Sequence, residues 1–293
     1  MPERVSSRRD REYGIMIVSL KEIMAYAEEN KCAVGAFNTP TLESLNAVIS
    51  AAEELDVPVI ISHAELHEPW APLDVIGPHM VLAAKNARVP VCVHLDHGEH
   101  FDYIKRAIEL GFTSVMYDGS ALEYSENSAN TFSITEYAHA LNVDVEAEIG
   151  ALASREDGHH SGGAVYTDPE LAQRFVEDTG IDALAASFGT AHGIYKEKPK
   201  LDFPRIEKIR ELTGLPLVMH GGSGVSPEDY RRSIECGIRK INYYSYMARE
   251  GVFAAKKLIE ENPGLTYFHE LAAEAEKAMK ADAMKAMRVF SGK

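Results

Sequence analysis

The chain has 293 residues, 45% hydrophobic and 26% charged, which suits one large α/β domain with a full core. Its formal charge is −15, from 45 Asp and Glu against 30 Lys and Arg, so it repels nucleic acid and anionic membranes and points to a small-molecule enzyme. Cys32, Cys92 and Cys236 are an odd set without CxxC spacing, which excludes a disulfide framework and fits a reducing cytoplasm, and no apolar run reaches membrane-spanning length.

In residues 1–15, Arg4, Arg8, Arg9 and Arg11 interleave with Glu3, Asp10 and Glu12, and no apolar stretch follows. This reads as a disordered leader, or the remnant of a tag or upstream start, and leaves 16–293 as the folded domain. Ser19-Leu20-Lys21-Glu22 is a capping box opening a helix to about Glu29. Ala33–Phe37 is a strand ending at Asn38, Thr41–Leu55 a helix and Val57–Ser62 a second strand. His63 to Pro69 reads as an irregular loop. Its HAELH run is not a zincin motif, and a substrate-facing or exposed loop is expected.

A helix near Val75–Ala87 precedes strand Val91–Asp96. Helix Phe101–Leu110 leads to strand Ser114–Tyr117, and helix Ser125–Ala140 to strand Val143–Glu148. A Gly-rich polar loop over 150–167 follows. Helix Pro169–Thr179 leads to strand Ala183–Ser187, helix Pro204–Leu212 to strand Pro216–His220, and helix Pro227–Cys236 to strand Arg239–Tyr243. Helices from about Ser245 to Glu260 and from about His269 close the chain. Eight strands, each followed by a helix, predict a single (β/α)8 TIM barrel with an additional C-terminal helix, its chemistry at the strands' C-terminal ends.

Three apolar runs end in a histidine followed by glycine: His97-Gly98, His192-Gly193 and His220-Gly221. Neutral imidazoles are good zinc ligands, and a catalytic zinc keeps three protein ligands and one open position. One such histidine is weak evidence, but a barrel brings its strand ends together. Asp96 then points inward from its strand tip, where a carboxylate can move protons to a substrate hydroxyl; its alternative role is to cap the next helix. His94, of the same parity, is read as a hydrogen-bonded core residue. Asp144, Glu146 and Glu148 share one face by period two, with Glu148 at the mouth within reach of a metal and Glu146 below it to hold a ligand histidine in its tautomer. The 150–167 loop is long enough for a lid, although its composition equally admits an exposed loop without a role. Gly221-Gly222-Ser223-Gly224 and Ser245 follow strands seven and eight, where barrels commonly bind phosphate. Lys196 would supply local positive charge.

His94-Leu95-Asp96-His97-Gly98, Val145 to Gly150, Gly189 to Gly193, Leu217 to Gly224 and Lys240-Ile241-Asn242 resemble the zinc-dependent class II fructose-bisphosphate/tagatose-bisphosphate aldolases from about Ser19 to the C-terminus. The resemblance implies Zn2+ on His97, His192 and His220, an acid/base at Asp96, Glu148 at a second or alternate metal position, and Glu156 as the mobile-loop base. It implies a sugar-phosphate substrate whose dihydroxyacetone phosphate half meets Gly193, Gly221, Ser223, Asn242 and Ser245, with Asn38 and Lys196 alongside. A monovalent cation (Na+ or K+) by the phosphate, a homodimer or homotetramer, and a cytoplasmic location are further implications. The sequence departs after strand eight: Tyr244 stands where a small or acidic residue is usual, and Ala248 where a basic residue would bind a second phosphate. A ketose with one phosphate is therefore expected over fructose 1,6-bisphosphate. A Schiff-base lysine finds no candidate by sequence, because Lys240 reads as lying at the wrong end of its strand. The other readings are a zinc hydrolase on the same barrel, which usually wants an HxH pair on an early strand, and a non-catalytic sugar-phosphate sensor.

Overall fold

The computed structural model describes residues 16–150, 166–195 and 197–293. Eight parallel strands close into a barrel in sequential order, with β1 completing the ring against β8. They are β1 Val34–Asn38, β2 Val59–Ala64, β3 Val91–Gly98, β4 Ser114–Tyr117, β5 Asp144–Ile149, β6 Ala183–Ala186, β7 Leu217–Met219 and β8 Ile238–Asn242. Around them run α2 Leu42–Leu55, α3 Leu73–Asn86, α4 Phe101–Glu109, α5 Tyr124–His139, α6 Pro169–Thr179, α7 Phe203–Thr213 and α8 Pro227–Cys236, then α9 Ser245–Glu261 and α10 Phe268–Ser291. No helix among the described residues is long and apolar enough to cross a membrane.

The ends of the barrel differ because α1, Leu20–Asn30, closes one of them. Its capping box forms as expected, with the Ser19 side chain accepting from the Glu22 N–H and the Glu22 carboxylate accepting from the Ser19 N–H. Leu20, Ile23, Met24 and Ala27 pack on inward residues of the strands such as Cys92 and Val218. Lys21 bridges Asp182 at 2.8 Å and Asp144 at 3.6 Å, so the lowest carboxylate of β5 is neutralised from below. The C-terminus of α10 meets the same end, where the Ala33 N–H donates to the Phe290 carbonyl at 3.0 Å. With that end sealed, chemistry is confined to the other.

Two expectations are corrected. The Val57–Ser62 strand begins at Val59, runs on to Ala64 and passes into a 3-10 turn at Glu65–His67. His63 and His67 are therefore buried rather than exposed, with His63 bonded through Nε2 to the Tyr103 hydroxyl at 2.8 Å. Lys240 sits in the middle of β8 with its side chain inside the barrel, not at the strand's wrong end.

Candidate active site

On β3, Cys92, His94 and Asp96 face the barrel interior, while Val91, Val93 and Leu95 pack outward. Strict alternation would send His97 outward too. Instead His97 takes a φ of 46°, a left-handed conformation that costs a non-glycine residue about 1–3 kcal/mol. The turn brings its ring to the mouth, where Nδ1 donates to Asp118 Oδ2 at 2.7 Å. His220 follows β7 directly, is 1% exposed, and donates from Nε2 to Glu146 Oε1 at 2.8 Å. His97 Nε2 then lies 2.9 Å from His220 Nδ1 and 3.3 Å from His192 Nε2. Ligand atoms of all three rings fall within 4.8 Å of one another.

This donor set fits a divalent cation. Carboxylates hold the outer nitrogens of His97 and His220, which leaves the inner nitrogens with lone pairs directed at each other. Such a convergence is repulsive unless positive charge sits between them. The surroundings favour that charge: burial works against a protonated His97, but Asp96 and Asp118 outweigh it and raise its pKa to about 10. His97, Asp118 and Glu148 form a second possible group. Glu148 is 3% exposed, and its Oε2 has no hydrogen-bond partner among the described residues. Burial, aided by Asp118, pushes its carboxyl well above the usual range, and a cation there would reverse this. A third group, His94, Asp96 and Glu146, already has its positive charge. Lys240 Nζ lies 2.8 Å from Glu146 Oε2 and 3.4 Å from His94 Nε2, and so is committed to an ion pair rather than to Schiff-base chemistry. His94 Nδ1 pairs with the Ser114 hydroxyl at 2.9 Å, as a core residue should.

Asp96 is 2% exposed and caps no helix. Its Oδ2 accepts from Asn38 Nδ2 at 3.1 Å and its Oδ1 from Asn242 Nδ2 at 2.9 Å. Burial alone would raise its pKa, but His97, His220 and Lys240 outweigh burial and hold it well below the carboxylate range. The site thus presents an ionised, clamped carboxylate beside three converging imidazoles.

A solvent-open pocket of about 650 Å³ reaches from Asp96 and His97 to Gly193, Gly221, Ser223 and Ser245. Gly221 has a φ of 62°, and a Cβ there would meet the Ala191 carbonyl oxygen at 2.4 Å, so no other residue fits. Gly221→Ala is expected to cost at least ~1–3 kcal/mol of stability. Urea unfolding checks this, and an unchanged midpoint would disprove the tight approach. At Gly193, with a φ of 90°, a Cβ would enter open space, which leaves room for a ligand against the backbone. The N-terminus of α9 at Ser245 has no side-chain cap. The N–H groups of its first turn and its helix dipole would suit an anion. Ser223 Oγ accepts from the Tyr244 N–H at 2.9 Å, joining the loops after β7 and β8. Glu156 and Lys196 lie outside the described residues.

Asp118 was not anticipated from sequence. Tyr117-Asp118-Gly119 follows the same pattern as Asp96-His97-Gly98, an acid just beyond a strand tip, and that was the available signal. Ser120 donates to Asp118 from both its backbone N–H and its hydroxyl, at 3.1 and 2.6 Å, and so sets its orientation toward His97.

The model of the family described as fructose-bisphosphate aldolase class-II matches residues 18–293. A fructose-bisphosphate aldolase of Geobacillus stearothermophilus is 40% identical over 282 residues, covering 94% of this chain and 98% of that one. One of Staphylococcus aureus is 43% identical over 229 residues, covering 77% and 80%. The crystal structure of the YdjI aldolase from Escherichia coli K12 superposes with a TM-score of 0.82 at 35% identity, covering 94% of this chain and 97% of that one.

Proposed function

Because the chain belongs to the class-II fructose-bisphosphate aldolase family and is a metal-dependent aldolase, we propose that it reversibly cleaves a ketose 1-phosphate into dihydroxyacetone phosphate and an aldehyde, with zinc as its metal. The observation that carries this reading is the convergence of His97, His192 and His220 beside the clamped carboxylate of Asp96. An all-imidazole set suits Zn2+ better than the hard, oxygen-preferring divalent cations. When bound, the metal supplies Lewis acidity toward the donor's carbonyl and hydroxyl oxygens. Asp96 takes the proton from the C4 hydroxyl in cleavage and returns it in condensation. Glu156 moves the proton at the donor carbon. Gly193, Gly221, Ser223, Asn242 and the N-terminus of α9 at Ser245 hold the donor and its phosphate, with Lys196 alongside and Asn38 steadying Asp96. Glu148 serves a second or alternate metal position, and Na+ or K+ accompanies the phosphate. The catalytic unit is 16–293, cytoplasmic and a homodimer or homotetramer; Val252, Phe253 and Ile259 on α9 are exposed apolar surface available for such contacts.

Asp118 and Glu146 act through the ligand histidines. Asp118→Asn removes the charge that orients His97 and should weaken zinc binding about 10–100-fold, the usual cost of losing such a support. Competition with a metal indicator measures this, and unaltered affinity would show that the Asp118–His97 bond does not tune the metal.

One phosphate rather than two is supported by where the cations lie. The Arg249 guanidinium lies 4.1 Å from the Tyr246 ring centroid and pairs with Glu250 at 3.7 Å. Arg288 sits in the last turn of α10, at the sealed end of the barrel. No Lys or Arg lines the pocket among the described residues. A charge-assisted phosphate contact is roughly twice as strong as a neutral hydrogen bond, so its loss should be felt mainly by a bisphosphate. The expected result is a higher kcat/KM for ketose 1-phosphates without a distal phosphate than for fructose or tagatose 1,6-bisphosphate. A bisphosphate preferred by orders of magnitude would mean that a second anion site exists, in the undescribed segments or on a partner subunit.

A further inference from the structure

Next to the proposed donor site, part of the pocket lining is aromatic and apolar. Tyr244 forms the wall there, together with Leu66 from the turn after β2 and Glu99 from the loop after β3. Behind Tyr244 the rings continue outward. The His67 ring centroid is 5.4 Å from that of Tyr244, and Trp70 is 6.4 Å further on from His67. Trp70 is 75% exposed.

The turn carrying these rings is braced. The Trp70 and Ala71 N–H groups both donate to the His67 carbonyl. The Tyr103 hydroxyl, bonded to His63, donates to Glu68 at 2.6 Å, and Glu68 also accepts from the Leu73 N–H. Glu65 accepts from the N–H groups of Glu99 and His100 and from the His100 ring, which ties the turn to the loop after β3. Trp70 is thus held exposed on a fixed support, beyond the residues that line the pocket. The turn and loop carry Glu65, Glu68 and Glu99, with His100 paired to Glu65, and Glu99 lines the pocket itself, an acidic balance that disfavours a phosphate here.

We propose that Tyr244 and Trp70, linked through the buried ring of His67, form the aldehyde subsite, and that it receives an uncharged polyhydroxylated aldehyde of four or more carbons. This deepens the ketose 1-phosphate reading and rests on it. The C–H face of an extended polyol packs on aromatic rings while its hydroxyls remain toward water and Asp96. A triose reaches only Tyr244; a longer chain continues toward Trp70. Chain length is therefore the specificity variable, and Trp70 its determinant.

The test measures condensation of dihydroxyacetone phosphate with D-glyceraldehyde, D-glyceraldehyde 3-phosphate, the D-tetroses and the D-pentoses, each normalised to its open-chain aldehyde. The zinc-loaded wild type is compared with Trp70→Ala and Trp70→Phe. The wild type should prefer tetroses and pentoses to D-glyceraldehyde. Trp70→Ala should lose about tenfold in kcat/KM on the longer aldehydes, the upper range for one aromatic contact, with Trp70→Phe recovering most of it and D-glyceraldehyde changing less than about twofold. A merely structural Trp70 would lower every aldehyde alike, and that result overturns the proposal, as does a wild-type preference for D-glyceraldehyde 3-phosphate. Solvent exchange of the donor's C–H proton needs no aldehyde and separates the two levels of inference. Exchange present with the wrong aldehyde profile overturns the subsite alone; exchange absent from the wild type overturns the underlying aldolase chemistry and the subsite with it.

Discussion

Asp96→Ala is expected to lower carbon–carbon cleavage by about 10²–10⁴-fold, the contribution of a positioned acid/base, while leaving solvent exchange of the donor's C–H proton measurable. The reason is geometric. Both carboxylate oxygens of Asp96 are held, by Asn38 from β1 and Asn242 from β8, so the group serves one fixed point. Its environment keeps it ionised and hence ready to accept a hydroxyl proton. The donor proton leaves from a different carbon and is assigned to Glu156, which follows β5 in the sequence. Glu156→Ala should therefore lose exchange as well as cleavage. Deuterium incorporation into dihydroxyacetone phosphate, followed by NMR beside a coupled cleavage assay, separates the two. Equal loss of both activities in both variants would remove the division of labour.

Removing the metal should abolish turnover. Lewis-acid stabilisation amounts to several kcal/mol, and each 1.4 kcal/mol or so is tenfold in rate, so the loss should exceed about 10³-fold. Zinc should restore activity far better than magnesium, because the proposed ligand atoms are three imidazole nitrogens. A readout independent of turnover is available. A cation that binds only the folded chain raises the unfolding temperature in proportion to the logarithm of its concentration over Kd. His220→Ala should remove that zinc-dependent rise. Full activity in metal-free protein, or a zinc shift unaltered by His220→Ala, would sink the assignment.

The barrel and the identity of its candidate residues were legible because both rest on local periodicity. Apolar runs separated by amphipathic segments specify strand after helix eight times, and parallel strands joined by helices leave few closures. A histidine followed by glycine at the end of three such runs marks one face of the barrel, since strand tips converge there whatever the details. Helix caps such as Ser19 with Glu22 were readable for the same reason: the interacting groups lie three residues apart.

What periodicity could not state is which group faces which across the ring. Alternation puts His97 outside, and only the positive φ at that residue brings it back to the mouth. Asp118 holds His97 from 21 positions away, and Asn242 reaches Asp96 from 146 away, contacts that exist because β4 lies beside β3 and because β8 closes on β1. Lys240 looked misplaced along its strand, yet its long side chain reaches Glu146 under the histidines, where burying the carboxylate alone would be prohibitive. The aromatic shelf behind Tyr244 likewise joins the turn after β2 to the loop after β8. The amino-acid order by itself determined the fold, the end of the barrel that carries chemistry, and the residue types available there, because each follows from neighbours within a few positions. Only the tertiary structure decided how the ring nitrogens of His97 and His220 are oriented, that Asp96 is clamped while Glu148 keeps an oxygen without a partner among the described residues, and which aromatic rings adjoin the pocket, because those properties depend on distances between residues that meet only when the sheet closes.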